Sequence, residues 1–207
     1  MAGWSELRGD LRRLESLDPS PLMSFPDPDS EAREERPVSI ELAAWATGPA
    51  AELHERYGDL VSLVVGVMEY PACRRRLGSG PPALSEPWTG LRVELTEPLT
   101  LRSGHSATVP LRVVNEEPVA RELSTSGQLH TLVVDRSARA VGGYVGAVPA
   151  MLRIYTVEPD GALDVPALVG TASLVEDLGY AVPPGEWHLV AMQGGRVSNP
   201  LPLTVTA

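Results

Sequence analysis

LGYAVPPGEWHLVA, residues 178–191, decides how the second half of this chain is read. Pro184 presets φ for the second position of a turn, and Gly185 supplies the positive φ that a type II turn needs next. Pro183 discourages any helix upstream. From Glu186 the residues alternate: Trp187, Leu189 and Ala191 share one face of a strand, and Glu186, His188 and Val190 share the other. PPGEW is therefore the launch of a core strand with Trp187 on the inner face. Tyr180 stands where a hydroxyl can pin the corner.

The same texture runs back to Leu91. Leu91, Val93 and Leu95 alternate with Arg92, Glu94 and Thr96, and Val109, Leu111 and Val113 alternate with Pro110 and Arg112. Further strands are read at residues 119–123, 129–135, 151–157, 163–169, 186–192 and 201–205. Short strands at this spacing, divided by turn signals, predict an immunoglobulin-like antiparallel β-sandwich over residues 91–207. Pro110 and Pro166 fit edge strands or strand ends.

Upstream the texture differs. Residues 1–17 place Leu7, Leu11, Leu14 and Leu17 at helical spacing, with Ser5 as the N-cap. This stripe must dock on the chain itself or serve as a partner-docking helix. Residues 18–38 hold Pro19, Pro21, Pro26, Pro28 and Pro37 among six acids. That composition predicts a disordered linker. Residues 39–57 read as a helix broken at Gly48-Pro49, and Leu60 to Met68 as one buried strand. Together with a Pro/Gly-rich connection they make a helix–strand segment over residues 39–90. A helix feeding a strand is half of an α/β unit, and the sequence offers no obvious second half. The predicted class is mainly β, with a helical N-terminal region.

All 17 basic residues are Arg, while Phe, Ile and Asn are scarce. This is the mark of a GC-rich genome rather than selection for guanidinium chemistry. Net charge is −10 and evenly spread, with 9 Arg against 15 acids in residues 1–90 and 8 against 12 in residues 91–207. Such a field disfavours nucleic acid and anionic membrane. Arg74-Arg75-Arg76 is too short to reverse it. A lone Cys73 excludes an internal disulfide. The charged N-terminus is not a signal peptide, and no apolar run approaches the length of a membrane span. The expected location is cytoplasmic.

GTASLVEDLGYAVPPGEWHLVA (170–191), LPLTVTA (201–207), VVDRSARAVGGYVGA (133–147) and AELHERYGDLVSLVVGVMEYP (51–71) resemble a family of uncharacterised actinobacterial proteins across residues 40–207. The resemblance implies no activity, ligand or partner.

The chemistry of single residues points the same way. Cys73 has no Cys-His signature around it. Gly142-Gly143-Tyr144-Val145-Gly146 does not open a helix after a strand, so it is no dinucleotide fingerprint and reads as a bulge or turn. His54, His105, His130 and His188 lack metal-ligand spacing, although outward-facing His130 and His188 could meet if their strands are neighbours. Glu116-Glu117 and Glu176-Asp177 fall in turns and read as solvated. Trp4, Trp45, Trp88 and Trp187 are scattered as core residues are. No catalytic residue, cofactor or metal is expected. The expectation is a non-enzymatic interaction or structural module that meets another protein or itself. One alternative is an enzyme or small-molecule binder with a pocket between the helix–strand segment and the sandwich, Gly142–Gly146 and Tyr144 at its mouth. Another is a component of a self-assembling particle.

Overall fold

The computed structural model describes residues 3–25, 37–71, 81–84, 86–148 and 151–207. Cys73 and Arg74-Arg75-Arg76 lie outside the described residues. The N-terminal unit consists of α1 (Trp4–Glu15), β1 (Leu22–Ser24), β2 (Val38–Leu42), α2 (Thr47–Tyr57), β3 (Val61–Val65) and β4 (Met68–Tyr70). The rest of the chain adds β5 (Leu91–Glu94), β6 (Thr100–Arg102), β7 (Ser106–Asn115), β8 (Arg121–Thr125), β9 (Leu129–Val134), β10 (Ala140–Gly143), β11 (Arg153–Val157), β12 (Ala162–Gly170), β13 (Ala172–Ser173), β14 (Gly185–Gln193), β15 (Arg196–Val197) and β16 (Leu201–Thr206).

The second half of the α/β unit exists after all. β2 runs parallel to β3 and α2 is their crossover, so residues 38–65 are a complete βαβ. The helix predicted over residues 39–57 is thus a strand followed by a helix. Val38-Ser39-Ile40-Glu41-Leu42 alternates strictly between buried and exposed, and that period of two outweighs the alanines behind it. Leu60 to Met68 is corrected as well: it turns at Gly66 into β4 and forms a hairpin. Within residues 18–38, read as linker, Leu22–Ser24 pairs with β2 as an edge strand.

α1 lies on this four-stranded sheet. Its first turn is closed by Glu6 Oε2, which accepts the Gly3 N–H at 3.0 Å, so capping begins before Ser5. Leu7, Leu11 and Leu14 are 0–2% exposed and join Ile40, Leu42, Leu53 and Leu63 in one core, whereas Leu17 stands 47% exposed. The leucine stripe is occupied at home, and a partner could reach it only by undocking the helix.

The C-terminal half is mainly β, as predicted. Ten of its twelve described strands join one sheet, ordered β5-β7-β12-β9-β14-β16-β6, with β10, β13 and β15 branching from it. Rather than two equal sheets face to face, this sheet curls into a half-barrel, and the β8–β11 ribbon packs over its concave side. Leu123, Tyr155 and Val157 of the ribbon share the core with Leu111, Val165, Leu189 and Leu203 of the sheet. The segment leading into β5 is tied to β15: Trp88 N–H donates to Val197 O at 2.7 Å. The Asn199 amide then accepts from Val93 N–H and donates to Val93 O at 2.9 and 3.0 Å. One side chain thus occupies the free edge of β5 as a neighbouring strand would.

Pro110 and Pro166 face each other across β7 and β12, both interior strands by order. The edge reading survives locally. β5 pairs only Arg112–Asn115 of β7, and β9 meets β12 only at Ala167 and Leu168. Each proline therefore sits where its strand lacks an outer neighbour, at a pair position that asks for no N–H. The opening turn departs from type II geometry, since Gly185 adopts φ 151° as the first residue of β14. Trp187 is half-buried against the core, with its indole N–H donating to Pro183 O at 3.0 Å. Tyr180 stacks on Tyr70, ring centres 6.1 Å apart, and so ties the barrel to the N-terminal unit.

Candidate functional site

The two units meet along a cleft of about 350 Å³. Its first wall is the turn after β2, closed by Ala46 N–H donating to Ala43 O at 2.8 Å, which carries Trp45 outward. Facing it is the β6–β7 turn. Gly104 adopts φ 76° there, and a Cβ at that position would lie 2.6 Å from Trp45 N, so only glycine allows the backbones this approach. Thr171, fully buried, clamps the turn through its hydroxyl to Arg102 O and His105 O at 2.7 and 3.0 Å. The outcome is that His105 lies flat on Trp45, with centroids 5.3 Å apart and planes 6° from parallel. Burial, and then the Arg102 charge, hold the His105 imidazole below its ordinary pKa.

The far rim is the segment following β10. Tyr144 donates its hydroxyl to Ala147 O at 3.1 Å and fixes the loop as a lip. Gly142 serves packing: a Cβ there would come within 2.3 Å of Val182. The Gly-rich stretch is thus a strand end with close neighbours, and Tyr144 to Ala147 line the cleft. Among the described residues no Asp, Glu or Arg side chain lines it. Its polar groups are peptide edges, the Ser20 and Ser106 hydroxyls, the phenol and the imidazole.

The remaining candidates are dispersed. His54 meets Tyr70 edge-on at 5.7 Å. His188 pairs in register with Val134 and His130 with Met192, so their strands are neighbours but the two rings do not meet. His130 Nε2 instead lies 3.0 Å from Ser126 Oγ in a second groove, of about 350 Å³, between the ribbon and the β14–β15 turn. A serine–imidazole pair needs an orienting acid for nucleophilic work. Among the described residues no carboxylate hydrogen-bonds this ring. The paired acids serve as salt-bridge partners: Glu116 with Arg92 at 2.9 Å, Glu117 with Arg121, and Asp177 with Arg139 at 3.1 Å. Trp88 donates to Arg196 O at 3.2 Å and packs on the large core. Among the described residues no cluster of three or more metal-ligating side chains occurs, and no helix is long and apolar enough to cross a membrane.

Sequence reasoning flagged the Gly142–Gly146 lip and missed the Trp45–His105 wall. The two residues are 60 positions apart in sequence, and no spacing rule links them. No protein-family model matches the sequence, and no curated protein matches it. Among solved structures, a β-glucosidase from Erythrobacter marinus superposes with a TM-score of 0.31 at 15% identity. That match spans 57% of this chain and 15% of the other, a likeness too slight to carry fold or activity across.

Proposed function

We propose that the protein is a non-enzymatic recognition module that takes its ligand in the cleft between the N-terminal α/β unit and the half-barrel. The observation that carries this reading is the Trp45–His105 stack, opposed by the Tyr144–Ala147 lip across a space of ligand size. Positively, the groups on the walls are suited to binding: aromatic faces, hydroxyls and peptide edges. His105 is held toward its neutral form by burial and lies flat against an indole. A fragment screen read by amide chemical shifts tests the proposal. Ligands are expected to move the resonances of Gly104, His105, Tyr144 and Ala147 together. Shifts confined to other surfaces would overturn it.

A second reading concerns a protein partner, and rests on a ridge along the ribbon. Met151, Leu152 and Ile154 are 54%, 74% and 52% exposed, and among the described residues β11 pairs only with β8. Contiguous exposed apolar side chains beside an unpaired edge favour association, either with another protein or with further copies in a larger particle. In sedimentation velocity, self-association that rises with concentration and disappears in Ile154→Asp is the expected signature. Identical monomeric behaviour of both proteins at all concentrations would remove self-assembly.

A further inference from the structure

Resting on that reading of the cleft, we infer that its ligand is an uncharged molecule built on a planar aromatic ring with one hydrogen-bonding group. Shape gives the first half of the inference. Trp45 and His105 are stacked with their planes 6° from parallel, so the pair leaves an outward aromatic face for a ligand, and Gly143, Gly146, Ala147, Gly170 and Ala172 add little bulk to the rest of the lining. A planar ring can lie on that face, and offset stacking on an aromatic ring adds about 0.5–1.5 kcal/mol beyond area burial.

Charge gives the second half. With no Asp, Glu or Arg among the described lining residues, an ion entering the cleft would shed hydration without gaining a partner there. Anions are disfavoured twice, since the whole chain carries −10. The single hydrogen-bonding group follows from what the walls leave open: the Ser106 hydroxyl and the His105 imidazole have no hydrogen-bond partner among the described residues. A ligand bearing one N–H or O–H can satisfy either of them without the cost of an unpaired polar atom.

Three probes with one ring separate charge from shape: indole (neutral), indole-3-acetate (anionic) and tryptamine (cationic), each tested on the full chain by saturation-transfer NMR. Indole is expected to bind about tenfold more tightly than either charged analogue, the penalty of one unpaired charge. Ser106→Phe and Ala147→Phe enlarge exposed rim positions, so each keeps the fold while filling the slot, which equal thermal midpoints would verify. Each is expected to abolish indole binding. Equal binding of all three probes would overturn the charge argument, and indole binding that survives both variants would overturn the location. If aliphatic fragments bind in a Ser106→Phe-sensitive way while indole does not, the planar-ring inference fails and the cleft reading stands. If no compound binds in that way, both fail.

Discussion

Asn115 shows how much one side chain can hold in a β fold poor in amides. It is 1% exposed, the two Nδ2 hydrogens are shared among the carbonyls of Val119, Val157 and Glu158, and its Oδ1 accepts from Glu117 N–H at 3.0 Å. It thereby joins the end of β7 to the end of β11. Asn115→Ala leaves several of these groups dry and unpaired, at about 1–3 kcal/mol for each that water cannot reach. The expected outcome is a loss of about 3 kcal/mol in urea unfolding with an unchanged m-value. Trp187 makes a milder case. Its parity in the sequence rightly gives the inner face, but periodicity carries no depth, and the ring is only half-buried. Trp187→Ala is therefore expected to cost about 2 kcal/mol, below the 3–5 kcal/mol of a fully buried large-to-small change. Parallel urea melts check both values.

At the scale of elements, α1 is held by its leucines and by one polar lock. Asp10 accepts from Arg56 at 2.7 Å and from the Tyr57 hydroxyl at 2.7 Å, which ties α1 to α2. Burial, reinforced by the Asp10 hydrogen bond, pushes the Tyr57 phenol up to about 12. A raised pKa means that the protonated phenol favours the folded state, so this stability is complete below pH 10 and is lost as pH climbs toward 12. Tyr57→Phe is expected to lose about 1.5 kcal/mol at pH 7, as for a hydrogen bond to a charged group, and to flatten the decline above pH 10. Unchanged alkaline unfolding in the variant would refute the lock. The α1 stripe was legible because three leucines at helical spacing have few other uses. β2 was less so: its five residues run directly into Ala43-Ala44-Trp45, and composition drew the boundary of the helix too early. The strands of the half-barrel were legible in existence and parity. The tie between β5 and the segment before β16 was not, because it depends on Asn199 reaching Val93 across 106 residues.

At the scale of the whole molecule, the two units are joined by aromatic pairs, Trp45 on His105 and Tyr70 on Tyr180, and by the approach of Gly104 to the Trp45 backbone. His105 makes this junction sensitive to pH. Burial, with Arg102 adding to it, depresses its pKa in the folded state, so the unfolded chain binds the proton more readily. Stability is then complete above the unfolded histidine value of about 6.5 and falls as pH drops toward the lower folded value. Two carboxylates titrate in a separate window. Ser137 chiefly holds Asp135 below its ordinary value, and Arg139 holds Asp177 below its own, so their contributions disappear only at more acid pH, below about 4. The unfolding midpoint should therefore decline in two stages on acidification, the first assigned to the junction. His105→Gln is expected to remove the first stage and leave the second intact, as read from thermal melts at half-unit steps between about pH 3 and 8. If the first stage persists in the variant, a histidine away from the junction is responsible, and the cleft wall does not couple the two units to protonation.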